Sequence, residues 1–232
     1  MSIRDIKPVS VSRKHEKPAA PRFIVVEGPI GVGKTSLARR LADSFHGELL
    51  LEPSEENPFL ERFYKAGKSA ALPAQLFFLF QRARQMEDLR QSDMFAPVRI
   101  ADFHIDKDEL FAEVTLDREE MSLYRQIRDR LDIEAPVPDL VVYLQAPVDA
   151  LLQRIARRGI HYERMIDRAY LEKLCDAYAR HFHNFDEAPL LIVNAGAIDP
   201  VGNEVDYQRL FEQIRGTTGG RHFFNPAATA IA

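Results

Sequence analysis

The chain has 232 residues, 46% apolar and 28% charged, enough for a sizeable core in one domain or at most two small ones. A formal net charge of −4 argues against a protein that wraps nucleic acid, and the single cysteine, Cys175, excludes an internal disulfide framework or a cysteine-rich zinc site. No run approaches the ~20 apolar residues of a membrane span, and the opening residues lack a signal peptide's apolar stretch, so a cytoplasmic globular protein without a membrane or nucleic-acid partner is expected.

Residues 1–21 mix charge with Pro8, Pro18 and Pro21 and have no apolar periodicity, which predicts a flexible N-terminal arm. Residues 23–26 are a short β-branched run that ends in a glycine loop, the first predicted strand. Leu37, Ala38, Leu41 and Phe45 follow at helical spacing, with Gly47 as a natural stop. Further apolar runs at 49–51, 98–101, 140–144 and 190–193 give four more strands, and helical patterns cover 74–91, 117–131, 147–157 and 167–183. From residue 216 to 232, Gly219, Gly220 and small residues around Pro226 predict a flexible C-terminal tail. Short apolar strands separated by helices predict an α/β fold in three layers, a five-stranded parallel sheet flanked by helices, occupying one domain over 22–215.

The loop after the first strand carries the most specific signal. Gly28, Pro29, Ile30, Gly31, Val32, Gly33, Lys34 and Thr35 satisfy G-x-x-x-x-G-K-[ST] in full. Glycines let successive backbone N–H groups turn inward around phosphate oxygens, and the following helix points its positive end at them. Lys34 is placed to reach the outer phosphates, and the Thr35 hydroxyl is a natural Mg²⁺ ligand. The motif predicts a nucleoside triphosphate, with ATP and Mg²⁺ as cofactors. The guanine-reading N-K-x-D is absent and Gln145 stands at the end of the fourth strand, which counts against a GTPase switch or a mechanical ATPase. Small phosphoryl-transfer kinases remain.

Glu52 directly follows the second strand, where an open parallel sheet places ligands, and could accept the proton of an alcohol. An exposed loop carboxylate before a turn proline is the alternative. Gln75, Leu79, Arg82, Met86 and Leu89 share one helix face, so an amide and a guanidinium stand in line with core-type residues. They could read a nucleobase edge, or snorkel at the rim of the core. Arg154 and Arg158 are one helical turn apart and could clamp a transferring phosphoryl group, with Gly159 as hinge or cap of a lid; a solvated basic helix end is the alternative.

In their order and spacing these pieces resemble the deoxynucleoside kinases, specifically the bacterial deoxyguanosine/deoxyadenosine kinases, over residues 22–213. The matching segments are 26–35, 52–53, 57–64, Gln75 with Arg82, 106–112, 142–145, 154–163 and 170–173. The resemblance implies a P-loop kinase fold with a helical lid and ATP-dependent phosphorylation of a deoxynucleoside 5′-hydroxyl in nucleotide salvage. It implies Glu52 as the general base, Gln75 and Arg82 at the base edge, Phe111 stacked on the base, and Tyr64 with Glu163 at the 3′-hydroxyl. It further implies Arg154 and Arg158 as lid arginines on the phosphates, and a homodimer formed through helices beside the substrate helix. Many members carry an acid-Arg-Ser motif after the third strand; here Asp102, Phe103 and His104 stand there without an arginine. The resemblance offers Asp102 for the acidic role at Mg²⁺. The form running from Asp102 and Phe103 to Asp106 and Lys107 is similar to that of bacterial deoxyguanosine kinase-like members, which implies a purine substrate. Two rival readings stand beside this one: a nucleoside monophosphate kinase of the thymidylate kinase type, and a non-catalytic nucleotide-binding regulatory module.

Overall fold

A computed structural model describes residues 21–91 and 98–226. The expected N-terminal arm, apart from a buried Pro21, lies outside the described residues, as do 227–232. Strand β1 (Phe23–Glu27) leads through the glycine loop into helix α1 (Lys34–Phe45), and β2 (Glu48–Leu50) follows. Helices α2 (Leu60–Ala66) and α3 (Ala71–Gln91) come next, then β3 (Arg99–Ala101), α4 (Lys107–Thr115) and α5 (Arg118–Leu131). After β4 (Leu140–Gln145) come α6 (Val148–Arg158), a 3₁₀ turn at Tyr162–Met165 and α7 (Arg168–Asn184). The chain closes with β5 (Leu190–Asn194), α8 (Glu204–Gly216) and β6 (Arg221–Phe224).

The strands form one parallel sheet in the order β2-β3-β1-β4-β5-β6. Every link is a crossover, which is why helices cover both faces and the strands read as continuous apolar runs. Period-two alternation sorts their side chains. Ile24, Val26, Leu140, Val142 and Leu144 pack on one face with Leu37 and Leu41 of α1, Leu151 and Ile155 of α6 and Leu210 and Ile214 of α8. Val25, Val141 and Tyr143 pack on the other with Met86 and Leu89 of α3 and with Leu174, Tyr178 and Phe182 of α7. The three-layer α/β architecture is as expected from the sequence.

Three expectations are corrected. The sheet has six strands, not five, and the sixth lies inside the segment expected to be a flexible tail from residue 216. β6 pairs with β5 from Leu190 and Arg221 to Val193 and Phe224. As an edge strand it buries little: Phe223 is 71% exposed, so its four residues carry neither an apolar run nor a buried alternation to reveal it. Helix α3 also starts before the expected residue 74 and takes Pro73 into its first turn, where the missing N–H has no helical acceptor to lose. Among the described residues no helix is long and apolar enough to cross a membrane.

Candidate active site

The glycine loop joins the C-terminal end of β1 to the N-terminus of α1. A Cβ on Gly28 would stand 2.5 Å from the Leu144 carbonyl oxygen, so β4 leaves room only for glycine there. Gly33 caps α1 with φ of 105°, a left-handed conformation that glycine adopts without strain. Val32, Gly33, Lys34, Thr35 and Ser36 therefore face a cavity also lined by Arg154, Arg157 and Arg158. Lys34 Nζ donates to the carbonyls of Gly28 (2.7 Å) and Pro29 (3.1 Å). Burial, and then the charge of Lys107, draw its ammonium down to about 7. Arg154 ties α6 to the loop, donating to the Val32 carbonyl at 3.0 Å and to the Ala195 carbonyl at 2.7 Å.

A second cavity opens on the other side of Lys34 and Thr35. Glu52, Tyr64, Gln75, Arg82, Asp102, Phe111, Arg158 and Glu163 all line it, so these residues singled out in the sequence converge on one space, while Arg154 lines only the first cavity. Ile30 and Gly31 complete the loop side, whereas Pro29 lines a separate surface groove.

Asp102, one residue past β3, joins the two halves of this cavity. It accepts from the Thr35 hydroxyl at 2.5 Å and from the Glu52 backbone N–H at 2.9 Å. Burial pushes its carboxyl up, against the opposing pull of Lys107. Glu52 itself accepts from Arg82 through one carboxylate oxygen and from Lys107 through the other. Arg82 also donates to Asp108. The Arg82 and Asp108 side chains are only 3% and 0% exposed, so this is a buried network of two cations and two carboxylates. Burial lowers the Arg82 guanidinium to about 10 and Lys107 to about 8. Arg82 Nε and Asp108 Oδ2 are buried without a hydrogen-bond partner.

The far wall is aromatic and polar. Gln75 Nε2 donates to the Thr115 hydroxyl at 3.2 Å, and that hydroxyl donates to the Phe111 carbonyl, which locks α3 to α4. Phe111 meets Tyr178 edge-on at 6.3 Å. Tyr64 stacks on Tyr162 at 5.9 Å, and burial raises its hydroxyl well above the ordinary range, so it stays a donor. Arg158 donates to Glu163 through Nε at 2.9 Å and again through Nη2, which links the end of α6 to the 3₁₀ turn.

Sequence reasoning gave no role in the site to Asp108 and left that of Lys107 open. A signal existed: Lys107, Leu110, Phe111 and Val114, with Asp108, Ala112 and Thr115, fall on adjoining stripes of one helix, so both charges sit on a face whose other members are core. Glu27, at the end of β1, was also missed. Buried to 1% exposure, it accepts from the N–H groups of Gly28 and His104 and from the Tyr178 hydroxyl, and so anchors the loop and the β3–α4 connection together.

Known proteins resemble this chain in sequence and in fold. The sequence model of the deoxynucleoside kinase family matches residues 24–218. The deoxyguanosine kinase of Bacillus subtilis (strain 168) is 37% identical over 201 residues, 83% of this chain and 96% of that protein. The deoxyadenosine/deoxycytidine kinase of the same organism is 27% identical over 200 residues, 83% of this chain and 91% of the relative. Among solved structures, deoxyadenosine kinase from M. mycoides with products dCMP and a flexible dCDP bound superposes with TM-score 0.70 at 25% identity, covering 83% of this chain and 96% of the other.

Proposed function

The chain belongs to the deoxynucleoside kinase family, and from that premise we propose that it transfers the γ-phosphoryl group of ATP to the 5′-hydroxyl of a purine deoxynucleoside, for nucleotide salvage. One observation carries the reading: the Glu52 carboxylate stands in the same cavity as Lys34 and Thr35 of the phosphate loop, held from both sides by Arg82 and Lys107.

The substrate hydroxyl gives its proton to Glu52 as its oxygen forms the new bond to phosphorus, and the bond from that phosphorus to the ADP oxygen breaks. Lys34 and the backbone of the glycine loop hold the phosphates, while Arg154 and Arg158 supply positive charge from α6. The Thr35 hydroxyl and the Asp102 carboxylate are two hard oxygen donors side by side, a pair suited to Mg²⁺. Mg²⁺ bound there would neutralise phosphate charge. Gln75 and Arg82 face the base, Phe111 stacks on it, and Tyr64 and Glu163 hold the 3′-hydroxyl. The unpartnered Arg82 Nε costs about 1–3 kcal/mol while unsatisfied, a cost that a polar base edge in the same cavity would offset.

A phosphate-bearing acceptor would need free cations at that end. Arg82 and Lys107 are instead neutralised by Glu52 and Asp108, which favours a neutral alcohol over a nucleoside monophosphate. The purine assignment rests on the greater likeness to a deoxyguanosine kinase than to a deoxyadenosine/deoxycytidine kinase. A homodimer goes with the same reading: Phe80 on the substrate helix α3 and Leu123 on α5 are 46% and 47% exposed, and sedimentation analysis would show the twofold mass.

An ADP-release assay against the four deoxynucleosides, the ribonucleosides and dTMP tests the proposal. Turnover is expected with deoxyguanosine or deoxyadenosine above the pyrimidines. Turnover with dTMP alone would overturn it, and a higher kcat/KM for thymidine or deoxycytidine would overturn the purine assignment.

A further inference from the structure

A third cavity lies beside α4 and shares no lining residue with the catalytic one; Asp106, Glu109, Glu113, Arg128 and His181 are among the side chains around it. We infer that His104, Asp106 and His181 form a binding site for a divalent transition metal of the zinc class. His104 Nδ1 lies 3.4 Å from Asp106 Oδ2, and His181 Nε2 lies 3.6 Å from the same oxygen. All three donor atoms are within 4.8 Å of one another. Zinc–nitrogen and zinc–oxygen bonds of about 2.0–2.2 Å at tetrahedral angles place donors about 3.3–3.6 Å apart, so two of the three separations already suit the ion and a small turn of an imidazole supplies the third.

The donors are also prepared for the task. His181 Nε2 is shut off from solvent and makes no hydrogen bond. His104 Nδ1 accepts only a long bond, 3.3 Å from the Asp106 N–H, weak enough for a metal ion to displace. Asp106 divides its oxygens: Oδ2 faces both imidazoles, while Arg128 lies 3.6 Å from Oδ1 and fixes the turn of the carboxylate, as outer partners of metal ligands do. Phe185 braces both rings, meeting His104 edge-on at 5.6 Å and His181 at 5.8 Å. A water from the cavity can take the fourth position. Two neutral imidazoles and one carboxylate are a borderline-soft set that suits zinc better than magnesium, which keeps this site chemically distinct from the Thr35–Asp102 pair. Asp106 also occupies the N-cap position of α4, immediately before Lys107 and Asp108, so an ion here would stiffen the turn that carries both.

Titration of the chelator-stripped, nucleotide-free full chain with Zn²⁺ against a chromophoric chelator tests the site. We expect one equivalent bound with Kd below about 10 µM, and a weakening of at least ~10²-fold in His181→Asn and in Asp106→Asn. His183→Asn, two residues on and exposed, should bind as the parent does. Co²⁺ in the unmutated chain should give the intense visible bands of a four-coordinate ion, a readout that needs no variant to fold. Absence of saturable Zn²⁺ binding, a six-coordinate Co²⁺ spectrum, or equal affinity in folded His181→Asn and Asp106→Asn would overturn the inference and leave the three side chains a hydrogen-bonded cluster only.

Discussion

Lys107, in the first turn of α4, donates to the carboxylate of Glu52, 55 positions earlier and just beyond β2. The contact brings a cation to the proposed general base from an element that neither the phosphate loop nor the substrate helix supplies. Lys107→Met would leave Glu52 to Arg82 alone and remove positive charge from the space next to Lys34, whose ammonium the Lys107 charge already lowers. A fall in kcat of about 10²-fold is expected, on the scale of losing one preorganised charged donor, with Lys107→Arg recovering part of it. Steady-state kinetics decide the matter, and an unchanged kcat in Lys107→Met would show the pair to be structural.

Glu52→Gln tests the base itself. The amide keeps the shape and one acceptor for Arg82 or Lys107 but cannot take a proton, so kcat should fall by at least ~10²-fold. Nucleoside binding, followed by calorimetry or fluorescence, should be largely kept. A regulatory nucleotide-binding module would show no such loss, and neither would an enzyme that uses another base.

Asp108 contributes to stability as well as to the site. Its side chain is fully buried against Arg82. Removing one partner of a buried pair costs about 3–5 kcal/mol; because Glu52 still holds Arg82, Asp108→Ala should fall near 3 kcal/mol. In a domain of this size that lowers Tm by roughly 6–12 °C. A calorimetric scan showing a shift below 2 °C would mean that water replaces the carboxylate without penalty.

What could be read from the sequence follows from how local each signal is. The glycine loop and the strands of β1, β4 and β5 declare themselves because each is a contiguous run with its own chemistry. Glu52 was legible because strand ends point at the crevice. The Glu52–Arg82–Asp108–Lys107 network was not, since it joins three separate elements whose docking only the sheet order decides. Arg158 shows the same limit: its distance of five positions from Glu163 is neither a helical i+3 nor an i+4 spacing, and a left-handed Gly159 turns the chain so that they meet. β6 escaped because an exposed edge strand of four residues has no buried face to pattern it.

The last prediction concerns proton uptake. Burial, followed by Lys107, lowers the Lys34 ammonium from 10.5 to about 7 in the free protein. Bound triphosphate places negative charge beside it and raises it again. At pH 8 the free amine is therefore mostly neutral and the bound one charged, so binding Mg-ATP should take up close to one proton; at pH 6 both are charged and uptake should vanish. The sign follows by linkage: affinity falls as pH rises through 7, approaching tenfold per unit while the free and bound forms differ by a whole proton. Calorimetric titrations in two buffers of different ionisation enthalpy read the uptake directly. Equal heats in both buffers at pH 8 would mean that Lys34 is already charged before the nucleotide arrives, and that its bonds to the Gly28 and Pro29 carbonyls outweigh its desolvation.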